Sequence, residues 1–170
     1  MIGTAKLTAF IASARPDRAK QFYSRTLGLR LVSEDQFAIV FDCAGVQLRI
    51  QKVDTFQPHA FTAIGWLVPS IRRAVSAFSK RGIAFERYGF LEQDDQGVWQ
   101  APSWAKVAWF KDPDGNLLSL TEAAPPEQRP QPTKRSRPVK ARAGKPARRS
   151  VKTRPSAVKG RRPAVARKRR

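Results

Sequence analysis

The 170-residue chain contains one cysteine, Cys43, and one histidine, His59. A single cysteine excludes an intrachain disulfide and fits a reducing compartment. A single histidine excludes any site that needs two imidazoles from one chain. No apolar run approaches the roughly 20 residues that a membrane-spanning helix requires. Residues 1–6 hold no basic stretch leading into an apolar segment of signal length. The expectation from these absences is a soluble, cytoplasmic protein. No Ser/His/Asp set, phosphate-cradling glycine loop or Cys-x-x-Cys pair is present. Cys43 sits in the turn Asp42-Cys43-Ala44-Gly45 with no neighbouring histidine to activate it as a nucleophile.

Acidic residues are scarce in one part of the chain only. Residues 123–170 carry 18 basic residues against the single acid Glu127, a net charge of +17, whereas residues 1–122 carry 15 basic and 12 acidic. The segment from 123 on also lacks aromatic residues and any helical period, and proline recurs at 125, 126, 130, 132, 138, 146, 155 and 163. Such a segment cannot bury enough apolar surface to offset its ordering entropy, and its charges repel one another. The reading is one globular domain, 1–122, followed by a disordered basic tail, 123–170. About 120 residues suffice for a core without metal or disulfide.

Within the domain the apolar run Leu7–Ala12 predicts a buried strand. Pro16 and Asp17 open a helix in which Ala19, Phe22, Tyr23 and Leu27 recur at helical spacing, and Gly28 stops it. Strands are predicted over 29–33, 37–41 and 46–51, separated by turn residues. The same order then recurs: a strand over 61–68, a helix marked by Ile71, Val75 and Phe78 and stopped by Gly82, and strands over 83–88, 97–100, 106–111 and 117–121. Arg18, Ala19 and Tyr23 lie 55 residues before Arg73, Ala74 and Phe78, and Gly28-Leu29 lies 54 before Gly82-Ile83. This is a tandem βαβββ repeat, with modules at about 5–56 and 60–122 and a longer loop in the second.

Two motifs sit at matching places in that frame. Phe22-Tyr23-Ser24-Arg25-Thr26-Leu27-Gly28-Leu29 resembles the Phe-Tyr-x-x-x-Leu-Gly signature of the vicinal-oxygen-chelate (glyoxalase/bleomycin-resistance/dihydroxybiphenyl dioxygenase-like) superfamily. Phe110-Lys111-Asp112-Pro113-Asp114-Gly115-Asn116 resembles that superfamily's Phe-x-Asp-Pro-Asp-Gly-Asn hairpin. The resemblance covers residues 5–122. It implies an α+β fold of two tandem βαβββ modules forming a curved mixed sheet, with ligand bound inside a half-open cup, and a domain of a kind that often dimerises. Both motifs are a helix end and a tight turn, so they mark the fold rather than a reaction.

Enzymes of the superfamily's glyoxalase and extradiol dioxygenase types hold a divalent metal in the cup through His and Glu at fixed strand positions. Carried onto this chain, those positions fall on Thr8, Arg49, Ala63 and Ser119. Two hydroxyls, a methyl group and a guanidinium do not make a metal site, so the expectation is no metal and no cofactor. His59, following Pro58 between the modules, reads as a solvated linker residue. Strand alternation groups Thr8 with Lys6 and Phe10, and Arg49 with Gln47 and Gln51. If these line the cup with Ala63 and Ser119, the site is small, polar and positive. It suits a small organic molecule bearing an anionic group, with Arg49 either clamping it or pairing with an acid such as Glu92 or Glu122. Tyr88, Trp99 and Trp104, near or within the long loop 89–103, either cover the ligand as a lid or pack beneath the loop.

In the tail, Arg148-Arg149, Arg161-Arg162 and Arg167-Lys168-Arg169-Arg170 are spaced by small residues and proline. That composition is similar to the tails of linker histones and bacterial histone-like proteins. It implies sequence-independent, salt-sensitive contact with DNA or another polyanion, with nucleoid association as a consequence. Three functional readings stay open. One is a metal-independent small-molecule-binding protein with a polyanion-binding tail. Another is a metal-dependent lyase, isomerase or dioxygenase of the same superfamily. The last is a nucleic-acid-associated protein whose cup is idle.

Overall fold

The computed structural model describes residues 2–128. The tail residues Arg148, Arg149, Arg161, Arg162, Arg167, Lys168, Arg169 and Arg170 lie outside the described residues.

The first module runs β1 (Thr8–Ser13), α1 (Pro16–Gln21), a wider helical turn at Phe22–Thr26, β2 (Arg30–Glu34), β3 (Ala38–Cys43) and β4 (Val46–Lys52). The second runs β5 (Ile64–Leu67), α2 (Ile71–Lys80), β6 (Trp99–Gln100), β7 (Lys106–Lys111) and β8 (Leu117–Glu122). Each module folds into its own four-stranded mixed sheet with the same order, β1-β4-β3-β2 and β5-β8-β7-β6, in which the first strand is parallel to the last. The curved sheet implied by the resemblance is thus realised as two sheets, one per repeat.

The helices form where the sequence places their apolar spacing and punctuation. Pro16 occupies the first turn of α1, Asp17 supplies a negative charge there, and Ala19 and Tyr23 are fully buried. The Leu27 amide reaches back five residues to the Phe22 carbonyl, and Gly28 takes φ +77° to end the turn, a conformation that favours glycine. In α2, Ile71 and Val75 are buried, with Ala74 and Phe78 packed against the same core. Its first N–H, on Ile71, is capped by the Glu122 carboxylate from β8 rather than by Ser70. That hydrogen bond and the Lys106 ammonium hold the Glu122 carboxyl below its ordinary range.

The helix-bearing faces of both sheets meet in one contiguous core. Ile39, Phe41, Leu48 and Ile50 come from the first sheet, Ala108, Phe110, Leu118 and Leu120 from the second, and Tyr23, Ile71 and Val75 from the helices. Phe110 is ringed by Trp66, Phe78 and Phe85 at centroid distances of 6.5, 6.0 and 5.7 Å. Cross-module contacts tie the two halves back to back: Arg81 at the end of α2 donates to the Thr26 carbonyl, and the Cys43 thiol meets the Trp66 indole. The β7–β8 turn anchors the seam. The Tyr23 hydroxyl donates to Asp112 at 2.9 Å, and Asn116 Nδ2 bridges Asp112 and the Ala12 carbonyl. Ser13 and the Ala14 amide both bond Asp114. Burial raises the Asp112 carboxyl against the pull of these donors, and burial next to Asp112 raises Tyr23 well above the ordinary phenol value.

Two of the strand expectations change. The run 7–12 is not wholly buried: β1 is an edge strand, so its Ala9, Ile11 and Ser13 face is covered while Phe10 stays 55 % exposed. The predicted strand 83–88 reduces to one bridge, Phe85 to Phe110. Beyond it the Glu86 amide still reaches the Trp109 carbonyl and Gln93 bridges Trp99, and side chains satisfy much of the remaining backbone. Gln93 accepts from the Tyr88 amide and donates to the carbonyls of Glu86 and Gly97. Arg87 donates to the carbonyls of Asp94 and Asp95, and Asp94 accepts the amides of Gln96 and Val98. Residues 123–128, read from sequence as the start of the tail, include a buried Ala124 and a single helical turn at Pro126–Gln128.

Candidate functional site

Because the helix-bearing faces share a core, the opposite face of each sheet is turned away from it. The strand register fixes which side chains lie there. On the first sheet, Thr8 pairs with Gln47, and Phe10 with Arg49, which pairs in turn with Val40. Thr8, Phe10, Gln47, Arg49 and Gln51 therefore occupy one outward face, as the alternation predicted. Arg49 stands on an inner strand between an exposed phenylalanine and a buried valine. It forms no hydrogen bond or ion pair with any described residue, and the acid that senses its charge is Asp35, in the β2–β3 turn. Neither Glu92 nor Glu122 is its partner; Glu122 is held by Lys106 and the Ile71 amide. Beside Thr8 and Gln47 a cavity of about 330 Å³ is lined also by Lys6, Arg30 and Asp42. Asp42 pairs with Arg30 at 3.0 Å. This face thus carries Lys6 and Arg49 beside the Arg30–Asp42 ion pair, with Asp35 near Arg49.

The outward face of the second sheet is built differently. Ala63 leads into β5 with its N–H donating to the Leu117 carbonyl, and Gly65 pairs with Ser119. Ser119 is 5 % exposed, and a Cβ on Gly65 would fall 2.5 Å from its Oγ, so these two residues make a closely packed floor. Trp109 pairs with Ser119 from the neighbouring strand. Tyr88 meets Trp109 edge-on at 5.6 Å, and Trp99 lies beside it at 5.9 Å. The Trp109 indole N–H is taken by the Thr62 hydroxyl at 3.1 Å. Partial burial, then the Glu86 carboxylate, raises the Tyr88 hydroxyl above its ordinary pKa, so it remains a donor at neutral pH. Glu86 also binds Lys111 at 2.7 Å and holds the ammonium above its ordinary range.

Of the site residues expected from sequence, Thr8, Phe10, Gln47 and Arg49 come together on one face, and Ala63, Ser119, Tyr88 and Trp99 on the other. Within one chain the groups touch only at their margins, where Phe10 and Gln51 of the first sheet and Ala63 line a cavity of about 300 Å³ with His59 and Phe61; Arg49, Ser119, Tyr88 and Trp99 take no part in it. Trp104 stands apart at φ +66° in the turn 101–105 and joins no ring contact. His59 stacks on Phe61 at 5.0 Å in the linker. Sequence reasoning missed Trp109. The alternation of residues 106–111 carried the signal, since it sets Val107, Trp109 and Lys111 on the face opposite Phe110.

The four positions that the resemblance marks for metal ligands are present as Thr8, Arg49, Ala63 and Ser119. This donor set does not suit a divalent cation: it has no imidazole, no carboxylate, and one fixed positive charge. Among the described residues, no three of His, Cys, Asp and Glu converge in a way that could hold a metal ion. No helix among them is long and apolar enough to cross a membrane.

Two βαβββ modules, each with its last strand parallel to its first, and the tethering Asp-Pro-Asp-Gly-Asn turn define a class of paired-module α+β domain. The chain belongs to the Glyoxalase/Bleomycin resistance protein/Dioxygenase superfamily, whose sequence model matches residues 7–120. Solved structures share the fold. A member of the superfamily from Sphaerobacter thermophilus is 23 % identical, with 72 % of this chain and 99 % of that one covered and a TM-score of 0.58. A putative glyoxalase family protein from Bacillus anthracis is 19 % identical over 71 % and 95 % of the chains, TM-score 0.56. Lactoylglutathione lyase from Agrobacterium tumefaciens is 16 % identical over 70 % and 93 %, TM-score 0.55. At these identities the likeness is one of fold. No curated protein matches the chain.

Proposed function

We propose that the protein is a metal-independent binder of small organic anions, held near nucleic acid or another polyanion by its basic tail. The observation that carries the reading is Arg49: a guanidinium without an acid partner, set between Phe10 and Val40 where metal-binding relatives present a carboxylate. Such a group recognises a carboxylate or phosphate by paired hydrogen bonds. Lys6 adds positive charge to the same face.

The two outward faces become one cup when a second copy sets its second sheet against the first sheet of this one. What supports this is the open edge of β1 and of β5, with Phe10 at 55 %, Phe61 at 64 % and Leu67 at 78 % exposure beside them. Unpaired strand edges flanked by exposed apolar side chains favour association. The tail, with +17 over residues 123–170, supplies counterion-releasing contacts without sequence preference. This combination supports reading the protein as cytoplasmic and associated with the nucleoid.

The test is a thermal-shift titration of the full chain with benzoate and with benzyl alcohol, repeated with chelator and with Arg49→Gln. The reading expects benzoate alone to raise the melting temperature, with chelator present, and the effect to be lost in the variant. Stabilisation by benzoate that needs added divalent metal, or that survives Arg49→Gln, would overturn it.

A further inference from the structure

The second sheet's outward face has a chemistry distinct from the first, and it specifies the rest of the ligand. Trp109, Trp99 and Tyr88 gather three aromatic side chains on one face, within 5.6–5.9 Å of the Trp109 ring. None of the three belongs to the buried core, although the core recruits Tyr23, Phe41 and Phe110. They are half-buried rather than covered. The Trp109 indole N–H is already satisfied by Thr62, so the ring has no hydrogen-bonding demand left and offers only its π surface. Glu86 and Lys111 neutralise each other at the margin, so this face, unlike that of Arg49, carries no uncompensated charge. The Ser119–Gly65 floor beside it is closed to anything bulky.

We infer that this face is a stacking platform, and that the ligand is a planar aromatic acid whose ring lies on Trp109 between Trp99 and Tyr88 while its anionic group reaches the Arg49 side of the cup. This rests on the preceding reading, in which a second copy brings the two outward faces into one cup, and adds the ring to the anion. A flat, polarisable ring stacked on an indole gains the offset or edge-on contact that a saturated ring of equal size cannot make. The Tyr88 hydroxyl is the donor in reach of a ring substituent. No bond is made or broken in this proposal; it concerns recognition alone.

The experiment compares 1-naphthoate, its saturated counterpart decahydro-1-naphthoate and 1-naphthol by calorimetric titration of the full chain, with Trp109→Leu, Trp109→Phe and Arg49→Gln. The expected order is naphthoate several-fold to about tenfold tighter than decahydronaphthoate, a margin of the size that stacking on an aromatic side chain provides. Trp109→Leu should erase that margin, and Trp109→Phe should keep most of it. Arg49→Gln should weaken both carboxylates and leave naphthol alone. Independently of any variant's folding, the indole N–H resonance of Trp109, assigned by its disappearance in Trp109→Phe, should shift when naphthoate is added to the wild type. Equal affinity for the two carboxylates, or a naphthoate preference that survives Trp109→Leu with the Trp109 resonance unmoved, overturns the stacking inference while the anion reading stands. Failure of every carboxylate to bind overturns both.

Discussion

Replacing Tyr23 with Phe removes one hydroxyl and leaves the ring in its slot, 5.3 Å from Phe22 and 5.8 Å from Phe41. What is lost is a buried hydrogen bond to Asp112 at 2.9 Å. Asp112 keeps the Asn116 side chain and the amides of Asp114 and Asn116. A hydrogen bond to a charged group contributes about 1.5–3 kcal/mol, and the remaining donors put the cost near the middle, about 2 kcal/mol. For a domain of this size that lowers Tm by roughly 6–12 °C. The pH dependence follows from the direction of the Asp112 shift. Its folded carboxyl lies above the ordinary 3.8 because burial outweighs its donors. The contribution of this group to stability is therefore full below that ordinary value and is lost as pH rises through the folded value. The Tyr23 hydroxyl stabilises the ionised form, so its removal raises the folded value further and costs most where Asp112 is ionised. Thermal melts followed by circular dichroism should show the widest gap between wild type and Tyr23→Phe near neutral pH, narrowing as the pH falls toward 3.8. A constant gap across that range, or none near neutrality, would refute the reasoning.

Gly65→Ala should destabilise by about 1–3 kcal/mol through overpacking against Ser119. Pairing it with Ser119→Ala should recover most of the loss, a coupling measured by a double-mutant cycle in denaturant. Gly115→Ala should cost about 1–2 kcal/mol, because φ +89° is unfavourable for alanine and its Cβ would meet Pro58 at 3.0 Å; the same denaturation assay reads it. Glu34, bonded to Lys20 and Lys52, has its carboxyl lowered from 4.5 to about 2. Its stabilising contribution is present above 4.5 and is lost as pH falls through about 2. Glu34→Gln should flatten that part of an acid titration of stability, and an unchanged profile would contradict the assignment. Deleting residues beyond Gln128 should abolish salt-sensitive binding to duplex DNA in a filter or anisotropy assay, and retention at equal salt would remove the tail from the account.

Much of the fold was legible because its signals are local. Helical spacing at Ala19 and Tyr23 and at Ile71, Val75 and Phe78, glycine stops at 28 and 82, and alternation in 46–51 and 106–111 each depend on residues a few positions apart. The partition of the site was not legible. Whether Thr8 and Arg49 share a cup with Ala63 and Ser119 depends on which faces the modules bury against each other. That is decided by contacts such as Arg81 with Thr26 and Cys43 with Trp66, 55 and 23 positions apart, which leave no local trace. The loss of a strand over 83–88 was hidden for a related reason: Gln93, from the loop that follows, bonds the Tyr88 amide and the Glu86 carbonyl with its side chain. Trp109 alternates with the buried Phe110, so its place on the open face is local, but its ring partners Tyr88 and Trp99 come from a loop and a strand whose positions leave no local trace.

The central claim is that the cup recognises its ligand through Arg49 and not through a metal ion. Elemental analysis of protein purified from cells without added metal, run beside a naphthoate titration in chelating buffer, tests it most directly. The account predicts transition metal far below one equivalent per chain and binding that chelator does not weaken. Stoichiometric zinc, nickel or iron, with binding that disappears when the metal is stripped and returns when it is restored, would contradict it.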